Sequence, residues 1–242
     1  MTTQAGSLAG RSAVVSGASR GIGLAIAQAF VAQGARVAML ARSAEALAAA
    51  AKALGERAFP MVCDAGDAGA VQRAAGEIEE RFGGAPDVLV NNAGLFDLSR
   101  ISDTTPESFA RALNVNLVGP FVLIRSLLPA MQTRGSGHVI SIGSIADRAT
   151  FPENGAYAAS KYGLRALHEV LRAELRGTGV RVTLVSPGPV NTSLWDAIDP
   201  DARAGFTPRS AMLGAESVAA AVLYAATQPA GVNVDELRLS RS

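Results

Sequence analysis

The chain has 242 residues, 49% of them hydrophobic, with 22 basic and 21 acidic side chains, so it carries no electrostatic footprint for a nucleic acid or an anionic membrane. The single cysteine, Cys63, excludes an internal disulfide, and with only two scattered histidines there is no metal-ligand cluster. This size and apolar content suit one α/β domain over residues 1–242, acting on a small uncharged partner.

In chain order, short β-type runs alternate with longer helical stretches. SAVVS (12–16) precedes a helical pattern over 21–33, RVAML (36–40) one over 43–54, and AFPMV (58–62) one over 67–82. DVLVN (87–91) leads to 105–133, HVISI (138–142) to 154–177, and VRVTLVS (180–186), after a loop, to 214–228. A last strand falls in VNVDELRL (232–239). This alternation predicts βαβ units and a parallel sheet, and strand runs that are apolar nearly throughout predict helices on both faces. The expected fold is a single-domain, Rossmann-type doubly wound sheet of about seven strands. Residues 190–213, which hold the only tryptophan, Trp195, break the rhythm and are expected to form a mobile, substrate-binding loop with a short helix. The opening MTTQAGSLAG lacks the charged and apolar regions of a leader. The long apolar run from Val15 to Leu40 is interrupted by Arg20, Gln28, Gln33 and Arg36, so a soluble, cytoplasmic protein is expected.

The eight residues SGASRGIG, Ser16–Gly23, hold two overlapping patterns. Gly17 to Gly21 match G-x-S-x-G, the elbow that presents a nucleophilic serine, here Ser19. Gly17, Gly21 and Gly23 also form a glycine-rich turn of the kind that cradles phosphates. A hydrolase elbow follows a mid-chain strand, with its acid and then its histidine coming later. Here it follows the first strand, the only histidines are His138 and His168, and no HGGG-like stretch supplies an oxyanion hole. In the other reading Gly17 permits the turn, Gly21 lets backbone approach a pyrophosphate, and Gly23 lets the helix pack tightly. The free N–H groups of that helix's first turn then face the phosphates. Three glycines alone are also compatible with a plain tight turn.

Further landmarks follow in order: NNAG at Asn91–Gly94, Asn116 in NVNLVG, Ser144 in SIGSIA, YAASK from Tyr157 to Lys161, and SPGPVNT from Ser186 to Thr192. Together with the G-x-x-x-G-x-G spacing, these motifs resemble the short-chain dehydrogenase/reductase family over almost the whole chain. Ser16 stands where that family commonly has threonine, a change that keeps the hydroxyl.

Tyr157 and Lys161 lie four apart on a predicted helix, so they share a face. A phenol near pKa 10 is a poor proton donor and acceptor at neutral pH, and a nearby ammonium favours its phenolate. The resemblance implies that Tyr157 donates a proton to a carbonyl oxygen as hydride arrives, or takes it from the alcohol in reverse. It also implies that Ser144 hydrogen-bonds that oxygen, that Lys161 holds the nicotinamide ribose, and that Asn116 organises a water linking Lys161 to solvent. Taken singly, each has a plainer role as a surface pair, a turn residue or a helix-interior amide. Asp64 either accepts a bond from an adenine amino group or caps the next helix. His168, 11 residues beyond Tyr157 on nearly the same face, is about 16 Å along the axis, too far to share the proton, and is read as a packing or surface residue. Cys63 is read as a small apolar filler.

The cofactor expected is NADP(H). An NAD-selective site places an acid after the second strand, where it accepts a bond from the ribose hydroxyl and repels a phosphate. Here Leu40 and Ala41 stand at that place, Arg42 and Ser43 follow, and Arg20 lies inside the glycine turn. The resemblance extends the cofactor set to Gly17, Ser19, Gly21, Ile22, Gly23, Asn91, Ala93, Gly94, Pro187, Gly188, Val190 and Thr192. Phe96, Phe151, Trp195 and Phe206 are candidates for an apolar substrate pocket, with Arg148 as a carboxylate anchor. The end of the chain lacks the paired glycines of 3-oxoacyl thioester reductases, and so resembles the general carbonyl and hydroxy-acid branch, with thioesters as the alternative. A homo-oligomer, a tetramer rather than a dimer, is implied by the family. The rival function is a cofactor-binding regulator or scaffold without turnover.

Overall fold

The computed structural model describes residues 6–242. The first five residues, where the reading of the chain's start and of the domain's beginning falls, lie outside the described residues. Seven parallel strands form one sheet in the order β3-β2-β1-β4-β5-β6-β7: β1 (Ser12–Ser16), β2 (Arg36–Ala41), β3 (Ala58–Val62), β4 (Val88–Asn91), β5 (Gly137–Ile142), β6 (Val180–Pro187) and β7 (Glu236–Leu239). The helices are α1 (Gly21–Ala32), α2 (Ala44–Leu54), α3 (Ala68–Phe82), α4 (Pro106–Leu113), α5 (Gly119–Arg134), α6 (Gly155–Glu174) and α7 (Ala215–Ala226).

The apolar strands feed two cores because successive side chains point to opposite faces. Ala13, Val15, Val88 and Val90 join Ile26, Phe30, Leu47 and Val222 on the face covered by α1, α2 and α7. Val14 and Leu89 join Val71, Ile78, Leu127 and Met131 on the face covered by α3, α5 and α6. After β3 the chain crosses to β4, which pairs with the other side of β1. Winding reverses there, and the crevice beyond the carboxyl ends of such strands is where α/β sheets take ligands.

The helix expected over 105–133 is two helices joined by a π turn over Asn114–Val118. Pro120 has no N–H, so it cannot donate to the carbonyl of Asn116 four residues back. Gly119 also lies so close to the loop after β3 that a Cβ would stand 2.2 Å from the Ala65 carbonyl oxygen. The run Pro106–Arg134 is long enough to span a bilayer and contains an 18-residue window apolar enough to do so by composition, with a mean hydropathy of 1.4. Its Leu123, Ile124, Leu127 and Met131 are instead buried against the sheet. The helix expected to reach residue 177 stops at Glu174, before Gly177 at φ 76°, and β7 occupies only the second half of VNVDELRL.

Candidate active site

The glycine turn follows β1 at the winding reversal. Gly17 has φ 67° and Gly21 φ 57°, conformations that favour glycine. A Cβ on Gly23 would stand 2.3 Å from the Gly17 carbonyl oxygen, so α1 packs on the turn as closely as the spacing predicts. No side chain caps α1 and its first turn holds no acid, which leaves a positive helix end. Two residues outside the sequence-derived set hold this turn. The Ser16 hydroxyl accepts from the N–H groups of Asn92 and Ala93, each at 3.0 Å, and the Asn92 amide donates to the Ser16 carbonyl at 2.9 Å. The hydroxyl of Ser16 therefore ties β1 to β4. Their signal was present in the motifs, but which asparagine of NNAG faces the turn depends on strand phase. Asn91, expected at the cofactor, is 2% exposed inside the sheet and does not line the crevice.

One cavity of about 1220 Å³ runs along the carboxyl edge of the sheet, more than the roughly 300–1,000 Å³ of a drug-sized pocket. Gly17, Ser19, Arg20, Gly21, Ile22, Arg42, Ser43, Asp64, Ala93 and Gly94 line the part over β1 to β4; Pro187, Gly188, Val190 and Thr192 line it beyond β6. Gly23 and Asn116 do not reach it. Arg20 and Arg42 are exposed and, among the described residues, neither forms an ion pair. Ser43 already accepts from the Ala46 N–H as the N-cap of α2. Asp64 does not cap α3; Asp67 does, while Asp64 turns back on the Gly66 N–H at 2.9 Å. A glycine cradle, a free helix end and two unpaired guanidinium groups fit a phosphorylated dinucleotide.

Ser144, Tyr157 and Lys161 meet on the wall between β5 and α6. Ser144 leaves β5 as the cap of a short 3-10 turn, its oxygen accepting from the Ala146 N–H at 3.1 Å, so its proton remains free to donate. Lys161 is 4% exposed; its ammonium donates to the Ile142 carbonyl at 2.8 Å and lies 5.6 Å from the centre of the Tyr157 ring. Burial lowers the Lys161 pKa to about 8, against a smaller raising effect of Asp147. The lowering expected for Tyr157 does not appear in the protein alone. Burial pushes the phenol up, Ser144 beside it pulls the other way, and Asp147 raises it further. Desolvation of the phenolate outweighs its neighbours.

Asn116 is fully buried as a bracket. Its amide donates to the Leu95 carbonyl and to the Ser160 hydroxyl, both at 2.9 Å, and its oxygen accepts from the Leu95 N–H at 2.7 Å. It thereby joins the loop after β4 to the turn of α6 that carries Tyr157. A third unforeseen residue is Asp147, a fully buried carboxylate that accepts from the Ser186 hydroxyl at 2.5 Å and from the Arg148 guanidinium at 2.6 Å. Arg148 also pairs with Glu236 on β7 and does not line the cavity, which overturns its expected role as a carboxylate anchor. Nothing in the order of residues 147, 148 and 236 announces a cluster that only the β6-β7 pairing assembles.

Phe96, Phe151, Trp195 and Phe206 all line the cavity. The 190–213 loop carries two short 3-10 turns, Ser193–Trp195 and Arg209–Ala211, and Arg209 ties them together through Asp196 at 2.7 Å. His138, at the opposite edge of the sheet, bonds the Thr183 hydroxyl at 2.7 Å, and His168 is buried with its pKa lowered to about 4. Neither lines the cavity that Ser19 lines, so no histidine base stands beside that serine and the elbow reading falls.

The fold is a Rossmann-type α/β sheet with a glycine turn at its winding reversal and a serine, a tyrosine and a lysine on one wall of the cavity at its carboxyl edge. The short chain dehydrogenase family model matches residues 11–203, and the chain belongs to the short-chain dehydrogenase/reductase family of oxidoreductases. It is 40% identical over 190 residues to dehydrogenase/reductase SDR family member 7B of Bos taurus, covering 75% of this chain and 58% of that one, so it spans under two thirds of that relative's length. It is 35% identical to D-threitol dehydrogenase of Mycolicibacterium smegmatis, covering 93% and 89% of the two chains. A metagenomic short-chain oxidoreductase solved in complex with NADP superposes with a TM-score of 0.84 at 34% identity, over 98% of this chain and 99% of that one.

Proposed function

We propose that residues 1–242 work as one unit, an NADP(H)-dependent oxidoreductase that interconverts a carbonyl and an alcohol. The observation that carries this reading is the convergence of Ser144, Tyr157 and Lys161 on one wall of a cavity whose far end is a glycine turn flanked by two unpaired arginines. When bound, the cofactor supplies or accepts the hydride. Tyr157, held as a neutral phenol, donates its proton to the substrate oxygen, and the Ser144 hydroxyl donates a hydrogen bond to the same oxygen. Lys161 keeps a positive charge beside the phenol as the proton leaves. Asn116 and Asp147 set the positions of the two loops that carry these groups. NADP rather than NAD is supported by Arg20 and Arg42 and by the missing acid after β2. The test is oxidation of NADPH by the purified protein across a panel of carbonyls; tight binding with no oxidation would favour the scaffold reading.

Since Lys161 titrates near 8, its charge is present below that pH and lost above it. The kcat/KM for NADPH in the reductive direction should therefore fall as pH rises through about 8, and a flat profile from pH 6 to 10 would remove Lys161 from this role.

The partners proposed are a small molecule and further copies of this chain in the cytoplasm, with the near balance of charge arguing against nucleic acid or membrane. Phe109 and Phe121 on α4 and α5, with Tyr162 and Val170 on α6, are exposed apolar side chains on adjoining helices that suit pairing between copies. Light scattering at micromolar concentration should give a four-chain mass; a one-chain mass would refute the assembly. We also propose that the 190–213 loop closes over the bound molecules, because Thr192 already lies against Gly21. Its amides should exchange more slowly with cofactor and substrate present than without, and equal protection in both states would exclude a lid.

A further inference from the structure

We propose, resting on the oxidoreductase reading, that the substrate is a neutral, largely apolar aryl or cycloalkyl ketone. The residues that select it are Phe96, Trp195 and Phe206. A continuous series of ring contacts leads outward from the proton donor. Phe96 meets Tyr157 edge-on at 4.8 Å between centroids, Trp195 meets Phe96 at 5.1 Å, and Phe206 meets Trp195 at 6.3 Å. All three pairs are edge-to-face and within the favourable range, so the wall is held in place by its own members. The indole N–H of Trp195 donates to the Val190 carbonyl at 3.0 Å, which occupies the polar edge of that ring.

Apart from the buried Lys161 ammonium, charge at this end is already matched. Glu153, on the cavity wall, accepts from Arg203 at 2.5 Å, and the Arg203 guanidinium lies 5.0 Å from the Phe206 ring centre. Lys161 is bonded to the Ile142 carbonyl, and Asn154 contributes a neutral amide. The remaining charged lining residues, Arg20, Arg42 and Asp64, follow β1, β2 and β3 at the opposite end. Lys161, 4% exposed and bonded to the Ile142 carbonyl, is thus the one cation near Tyr157 among the described residues, and a carboxylate or phosphate there would find no free guanidinium to pair with and would face Glu153. A polyhydroxylated ketone would exchange water for ring carbons, losing roughly tenfold in affinity for each hydrogen bond left unmade. An apolar ring gains instead, by filling the gap against the wall.

The experiment compares kcat/KM for cyclohexyl methyl ketone, erythrulose and 2-oxobutyrate at saturating NADPH, in the wild-type protein and in Phe96→Ala. We expect the cycloalkyl ketone to lead by about 100-fold, and Phe96→Ala to cut that lead about tenfold while leaving the NADPH Kd unchanged. A lead for erythrulose or 2-oxobutyrate, or an unchanged ratio in Phe96→Ala, overturns the proposal. Trp195 is the only tryptophan, so its fluorescence reports binding directly in the protein–NADP complex. If none of the three ketones is reduced, quenching by cyclohexyl methyl ketone alone leaves the recognition standing and removes the oxidoreductase reading. Equal quenching by all three, or by none, overturns the recognition itself.

Discussion

Tyr157→Phe should lower turnover roughly 100- to 10,000-fold, the usual contribution of a general acid or base, with folding and cofactor binding preserved. The substitution removes one hydroxyl and keeps the ring that packs edge-on against Phe96 at 4.8 Å. It also leaves the Lys161 bond to Ile142 in place, since the phenol takes no part in it. Steady-state kinetics on every carbonyl accepted by the wild type, with circular dichroism as the control for folding, measures the effect. Wild-type turnover in a normally folded variant would show that the proton comes from elsewhere.

The paired variant Arg20→Ala with Arg42→Ala should weaken NADPH binding by about 1.5 to 3 kcal/mol or more, the scale of charge-assisted hydrogen bonds, with NADH nearly unaffected. Both arginines line the cavity and are exposed, so neither substitution opens the core. Titration of both cofactors against both proteins gives the answer. Equal wild-type affinity for NADH and NADPH, or equal losses for both in the variant, would end the charge argument. Ser43 contributes less to this contrast than its position suggests, because its oxygen is already engaged in capping α2.

Much of this could be read from residue order because the information was local. The short apolar runs and the helical patterns between them place seven strands and their helices, and a tight strand-to-helix turn needs Gly17 and Gly21 whatever surrounds it. The spacing of Tyr157 and Lys161 puts them on one face of any helix. The break within 105–133 was partly legible in Pro120, but a proline at that place also fits the first turn of a new helix. Its effect here depends on Gly119 packing against the loop after β3.

By itself, then, the sequence determined the parallel α/β sheet, the phosphate-type turn at its first junction and the shared helix face of Tyr157 and Lys161, since each follows from backbone geometry over a few residues, while Ser144 joined them through the family resemblance of its motif. Only the tertiary structure decided which partners the remaining polar groups take. Strand phase turns Asn92 to the glycine turn and leaves Asn91 in the sheet. The pairing of β6 with β7 brings Glu236 to Arg148 and so removes a charge from substrate binding. Burial of Tyr157 raises a phenol that its lysine neighbour alone would lower, because the cost of desolvating a charge is set by everything packed around it.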